Sequence, residues 1–153
     1  MASETIGRLR STSGISQQLD LGSNTLTINQ SADDGFGGTI IGTTGTLIKS
    51  GSAALTLTGA NTYNGATQIL AGSLVAANAT ALGTVTGATT VNSGATLQIS
   101  GDIAIAENII LNPAGTSAAL ENISGNNTLS GTIAHTSNGS VTLSAATGTQ
   151  LTL

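Results

Sequence analysis

The residues that could do chemistry are few and scattered. The acids are Glu4, Asp20, Asp33, Asp34, Asp102, Glu107 and Glu121; the bases are Arg8, Arg10 and Lys49, with a single histidine, His135. Asp33 and Asp34 open the run Asp33-Asp34-Gly35-Phe36-Gly37-Gly38, which has the carboxylates and glycine turns of calcium-holding β-rolls. Those sites need the motif on successive coils, and here it occurs once. Asp33 and Asp34 are therefore the weak metal candidates, set against the plainer expectation of a loop with exposed carboxylates. Glycoside cleavage needs two carboxylates converging on one bond, whereas neighbours along a strand point to opposite faces. A sugar platform would use aromatic faces, and only Phe36 and Tyr63 could supply them. His135 is too isolated for a metal site or for a triad with Ser137. Without cysteine, thiol catalysis, disulfides and sulfur-ligated metals are excluded. The expectation is a chain with no catalytic, cofactor-binding or metal-binding residues, and not an enzyme.

Composition narrows the partners in the same way. Three basic residues against seven acidic ones leave a formal charge of −4. Nucleic acid needs clustered Lys and Arg with stacking aromatics, so it is set aside. Apolar runs such as Ile109–Leu111 fall far short of the roughly 20 residues that span a bilayer, so no membrane insertion of this segment is expected. Disorder goes with high charge and low hydrophobicity; with 7% charged and 39% hydrophobic residues, this chain can bury a core. Met1–Arg10 lacks the apolar stretch of a signal peptide, so the chain reads as intracellular or as a piece of a longer exported protein, with Met1-Ala2-Ser3 as a cloning leader. Asn-x-Ser/Thr triplets at Asn29, Asn78, Asn122, Asn126 and Asn138 follow from the richness in Asn, Ser and Thr, and no glycosylation is inferred.

The scaffold shows itself as a repeat. Segments of the form small–Thr–Leu end on Leu26, Leu47, Leu74, Leu97, Leu120 and Leu143, at intervals of 21, 27, 23, 23 and 23 residues. Two further apolar positions lie between successive leucines: Leu57 and Ile69, Val85 and Val91, Ile105 and Ile110, Leu129 and Ile133. Each sits in a short stretch alternating with Thr, Ser or Gln, the period of a half-buried strand. Gly and Asn at Gly59-Ala60-Asn61 and Ser93-Gly94 supply the corners. Three short strands per repeat and no helical stretch predict an all-β fold, a parallel β-helix or β-solenoid of about six coils. Each strand pairs with its counterpart one coil away, giving a rod roughly 30 Å long. The six leucines should stack inward as one column, with Thr25, Thr46, Ser73, Thr96, Ala119 and Thr142 facing outward. Residues 1–18 read as a lead-in or cap and 19–153 as a single β-helix domain. Flat Thr arrays on solenoids can bind ice; Thr25-Thr27 and Thr56-Thr58 fit, but Ile48, Val75, Gln98 and Glu121 break the second column.

Residues 45–74 carry a denser signature: Gly45, Leu47, Lys49, Gly51, Leu55, Leu57, Gly59, Asn61, Tyr63, Gly65, Thr67, Ile69, Gly72 and Leu74 at fixed spacings. This stretch resembles the repeat of bacterial autotransporter passenger domains. The resemblance implies a right-handed parallel β-helix exposed on the bacterial surface, where the repeat acts as spacer and scaffold. Lys49, two residues after an inward leucine, is expected at a corner, bonding carbonyls. Asn61 should brace a turn and Tyr63 cover a coil edge. The functional expectation is an extracellular structural or adhesive module, self-associating head to tail or side by side, with cell-surface or matrix contacts. The alternatives are a subunit of a self-assembling extracellular filament and a polysaccharide-binding or polysaccharide-cleaving β-helix. An uncapped rod would stack into fibres, because such a contact does not close.

Overall fold

The computed structural model describes residues 3–11, 17–113, 118–136 and 138–153. Within them the alternating stretches become short parallel strands, and no residue is helical. The first sheet stacks β1 (Glu4–Ile6), β3 (Thr25–Asn29), β6 (Thr46–Ser50), β8 (Thr67–Ile69), β10 (Ala88–Asn92), β13 (Asn108–Asn112) and β16 (Ile133–His135). The second stacks β4 (Asp34–Phe36), β7 (Leu55–Leu57), β9 (Gly72–Ala76), β11 (Ala95–Ser100), β14 (Ala118–Ser124) and β17 (Val141–Ala145). A third face begins as β2 (Gln18–Asp20) on β5 (Thr39–Ile41) and resumes as β12 (Ala104–Ile105), β15 (Asn126–Leu129) and β18 (Gln150–Thr152). The chain is a parallel β-solenoid of about six turns with three faces.

Period two decides what goes inside. In β6 the sequence Thr-Leu-Ile-Lys-Ser alternates half-buried and buried, and β11 does the same over six residues. Inward side chains stack in columns between coils. Ile6, Ile28, Lys49, Ile69, Val91 and Leu111 form one column of the first sheet, and burying each aliphatic member contributes roughly 1.5–3 kcal/mol. Coil contacts are tight at the corners. A Cβ on Gly65 would run into the backbone carbonyl of Gly45 on the coil below. Gly72 turns its corner at φ 63°, where side chains are strained.

The leucines that mark the repeat do not form one column. Leu26 pairs with Leu47 in the first sheet, where the next neighbour of Leu47 is Thr67. Leu74, Leu97, Leu120 and Leu143 stack in the second sheet, on Leu55. The interval of 27 residues between Leu47 and Leu74 is the crossing from one sheet to the other, Leu47 to Leu55, followed by one turn. Both columns are small–Thr–Leu segments, and that local pattern carries no label for the face. Three other expectations change. Val85 is 62% exposed, and Leu82 fills the core there instead. Ile110 faces outward because Ile109 and Leu111 take the inward parity of β13. Tyr63 lies wholly inside the solenoid and covers no edge.

Strand pairing starts inside the stretch read as a lead-in: β1 is the first rung of the first sheet, and Leu9 is buried. Gln30 clamps this segment, its Oε1 accepting from the Leu9 N–H at 3.1 Å and its Nε2 donating to the Ala32 carbonyl at 2.8 Å. The suggested leader residues Met1 and Ala2, and Ser137, lie outside the described residues.

Candidate functional site

Asp33 and Asp34, the weak metal candidates, serve the fold. Asp34 is ion-paired with Arg8, and the hydrogen bond from that guanidinium holds its carboxyl below the usual carboxylate range. Asp33 Oδ1 accepts the Ala54 N–H at 2.7 Å, one coil away. Among the described residues no three of His, Cys, Asp and Glu gather as a metal would need. His135 is exposed at the end of β16, its Nε2 3.1 Å from the Gly139 carbonyl.

Lys49 stands in an aliphatic column between Ile28 and Ile69, with no exposed surface. Its stem packs in the core while Nζ reaches the corner and donates to three carbonyls: Ser50 and Gly51 at 2.9 Å and Ala71, on the next coil, at 3.0 Å. Burial pushes its pKa down to about 8, against an opposing pull from Asp33. The ammonium ties two coils together at the first corner of the 45–74 repeat. Asn61 does the same at the third face: Oδ1 accepts the Ile40 N–H below at 2.8 Å, and Nδ2 donates to the Ala81 carbonyl above at 2.6 Å.

A second polar group inside the solenoid escaped the sequence reading. Thr67 and Thr89, cross-strand neighbours in the first sheet, both point inward and are fully buried. The Tyr63 hydroxyl is 2.6 Å from Thr67 Oγ1, and that Thr67 hydroxyl donates to the Leu82 carbonyl at 3.3 Å. Burial pushes the Tyr63 phenol up. Thr89 Oγ1 donates to Glu107 Oε1 at 2.7 Å. Glu107 is 3% exposed, and burial, opposed by that one hydrogen bond, raises its carboxyl to about 7. A sequence signal for it exists. In Ile105-Ala106-Glu107-Asn108-Ile109, Glu107 shares the parity of the inward isoleucines.

Glu107 sits at a break. The first two sheets run unbroken through the rod, but the third face is split, and β12 pairs only upward, with β15. Below it the chain makes turns over 79–82 where a strand would continue the ladder. Between these segments lies a cleft of about 330 Å³, lined by Asn61, Thr80, Thr84, Val85, Ala104 and Glu107 among others. A smaller, mainly apolar hollow lies beside the first coils, lined by Leu19, Leu21, Thr25 and Leu26 among others, and outward polar residues pair between coils, as in the Gln98–Glu121 hydrogen bond at 2.9 Å. At the last coil, β16, β17 and β18 each have a neighbour on one side only. The inward Leu143 is 47% exposed there because no coil covers it.

Residues 47–76 match the passenger-associated-transport-repeat. They run from Leu47 in β6 to Ala76 in β9, through the turn that holds Lys49, Asn61, Tyr63 and Thr67. This match and the solenoid together fit an autotransporter passenger repeat, a family that suggests a secreted or surface-exposed protein. No curated protein and no solved structure matches the chain.

Proposed function

We propose that this chain is a non-catalytic structural module of the bacterial cell surface, a rigid passenger-type spacer that contacts neighbours through its ends. One observation carries the reading: residues 47–76 match a passenger-associated-transport-repeat and lie within two parallel ladders that run unbroken from coil to coil. A second copy meeting an end coil would pair its edge groups and cover its apolar surface. Adhesion to a cell surface or matrix is the second role of such a rod, and the passenger repeat at 47–76 favours it. Copies meeting head to tail would grow as a filament, because such a contact does not close.

Negative-stain electron microscopy of the purified chain over a concentration series tests the end contacts. Rods that lengthen with concentration are expected, with a Leu143→Glu variant remaining short. Monodisperse rods at every concentration, identical in the variant, would sink end-to-end association and leave the spacer reading alone.

A further inference from the structure

The cleft at the split in the third face has a chemistry that the spacer role does not use. Glu107 is almost completely buried, yet the Thr89 hydroxyl is the one group that bonds its carboxyl; Oε2 accepts from no described residue. Oε2 is not sealed from solvent, and with Glu107 lining the cleft a carboxylate bonded by one protein group gains from a cation that joins it there. No Lys or Arg lines the cleft, and the titratable neighbour is Tyr63, whose phenol the Glu107 charge helps to push up. Thr80 and Thr84 also line the cleft; their hydroxyls donate to Asn78 and Asn64 and can still accept from a donor, while Ala79, Val85, Ala104 and Ala106 give an apolar lining. The volume, about 330 Å³, lies at the lower end of the range for small-molecule pockets.

We propose that this cleft binds a primary ammonium group on a short alkyl stem, the head on Glu107 Oε2 and the threonine hydroxyls, the stem against Ala79, Val85, Ala104 and Ala106. An ammonium supplies the missing donors, and its charge replaces the proton that Glu107 otherwise retains. A free amine and the lysine side chain of another protein share this chemistry. Binding therefore strengthens as the carboxyl ionises, around pH 7. The site is independent of end-to-end association, so either can fail without the other.

The test uses n-butylammonium, n-butanol and glucose as probes of the whole chain, followed through the backbone amide shifts of Thr84, Ala104 and Ala106. Butylammonium should shift these amides saturably. Its affinity should fall about tenfold in Glu107→Gln, the loss of a charge-assisted hydrogen bond. It should fall similarly from about pH 8.5 to about pH 5.5, as Glu107 takes up its proton. Ala106→Phe fills the cleft while keeping the carboxyl and should abolish the shifts; it carries the test if Glu107→Gln does not fold. Butanol matching butylammonium, unchanged binding in either folded variant, or no shift at all overturns the proposal. Glucose shifting the same amides while butylammonium does not would overturn it in favour of a neutral saccharide site. If the site stands, acetyl-lysine amide and lysine amide, compared in the same way, separate a protein side chain from a free amine.

Discussion

Lys49 and Glu107 are both ionisable side chains inside the same rod, and the solenoid treats them differently. Lys49 sits where the ladders are continuous, and the corner delivers three carbonyls to its ammonium. Glu107 sits where the third face is interrupted, and among the described residues one hydroxyl bonds its carboxyl. Regular stacking places backbone acceptors of successive coils close together, so an inward lysine that reaches a corner finds them without special arrangement. An inward carboxylate needs donors, and in a parallel ladder the backbone N–H groups are already engaged between coils. The lysine therefore fastens the repeat, whereas the acid is left with unused bonding capacity facing a cleft.

The sharpest way to break this contrast is to remove the lysine. Lys49→Ala deletes a fully packed stem and strands the Ser50, Gly51 and Ala71 carbonyls, at a cost of about 4 kcal/mol in urea unfolding. Lys49→Met keeps the stem and should cost about half of that. Equal losses in the two variants would mean that the packed stem adds nothing, and a Lys49→Met variant as stable as the parent would mean the same of the carbonyl bonds.

The pH profile of stability comes next in size. The folded Lys49 has its pKa lowered from 10.5 to about 8, so between those values the unfolded chain holds the extra proton and stability rises with pH. Glu107 is raised from 4.5 to about 7, so the folded chain holds the proton and stability falls as pH climbs through that window. A shallow minimum between about 7 and about 8 is expected, read from unfolding midpoints. Glu107→Gln should flatten only the acid-side slope and raise stability above neutrality, on the order of 2 kcal/mol. A slope that survives in that variant would place the titration elsewhere.

The smallest effect belongs to the exposed pair. Asp34 is held low by Arg8, so its contribution is present above the usual carboxylate range and disappears as pH falls. Arg8→Ala should leave neutral stability nearly unchanged, as surface ion pairs do, and remove only that loss in strong acid. A large loss at neutral pH would instead assign Arg8 a packing role over the first coil.

Much of the candidate site was legible. Lys49, two residues after an inward leucine, reads as a corner lysine bonding carbonyls, and Asn61 as the brace of a turn because asparagine bonds neighbouring backbone. The carboxylate was not legible, although Ile105, Glu107 and Ile109 share a parity, since a charged residue on the inward face is ordinarily read as a corner. Thr67 and Thr89 were hidden for the opposite reason: threonine suits the outer face of a strand as well as the inner one. The structure turns both inward, where Tyr63 and Glu107 supply their partners.

By itself the sequence determined that this is a parallel β-solenoid of short strands: period-two alternation fixes which residues share a side of each strand, and the recurrent spacing fixes one turn per repeat. Only the tertiary structure decided which sheet each strand joins, that Leu47 and Leu74 lie in different columns, and that the third face breaks beside Glu107. Parity is a local property of the chain. The assignment of faces depends on how many residues each corner consumes, and that is settled only when the coils stack against one another.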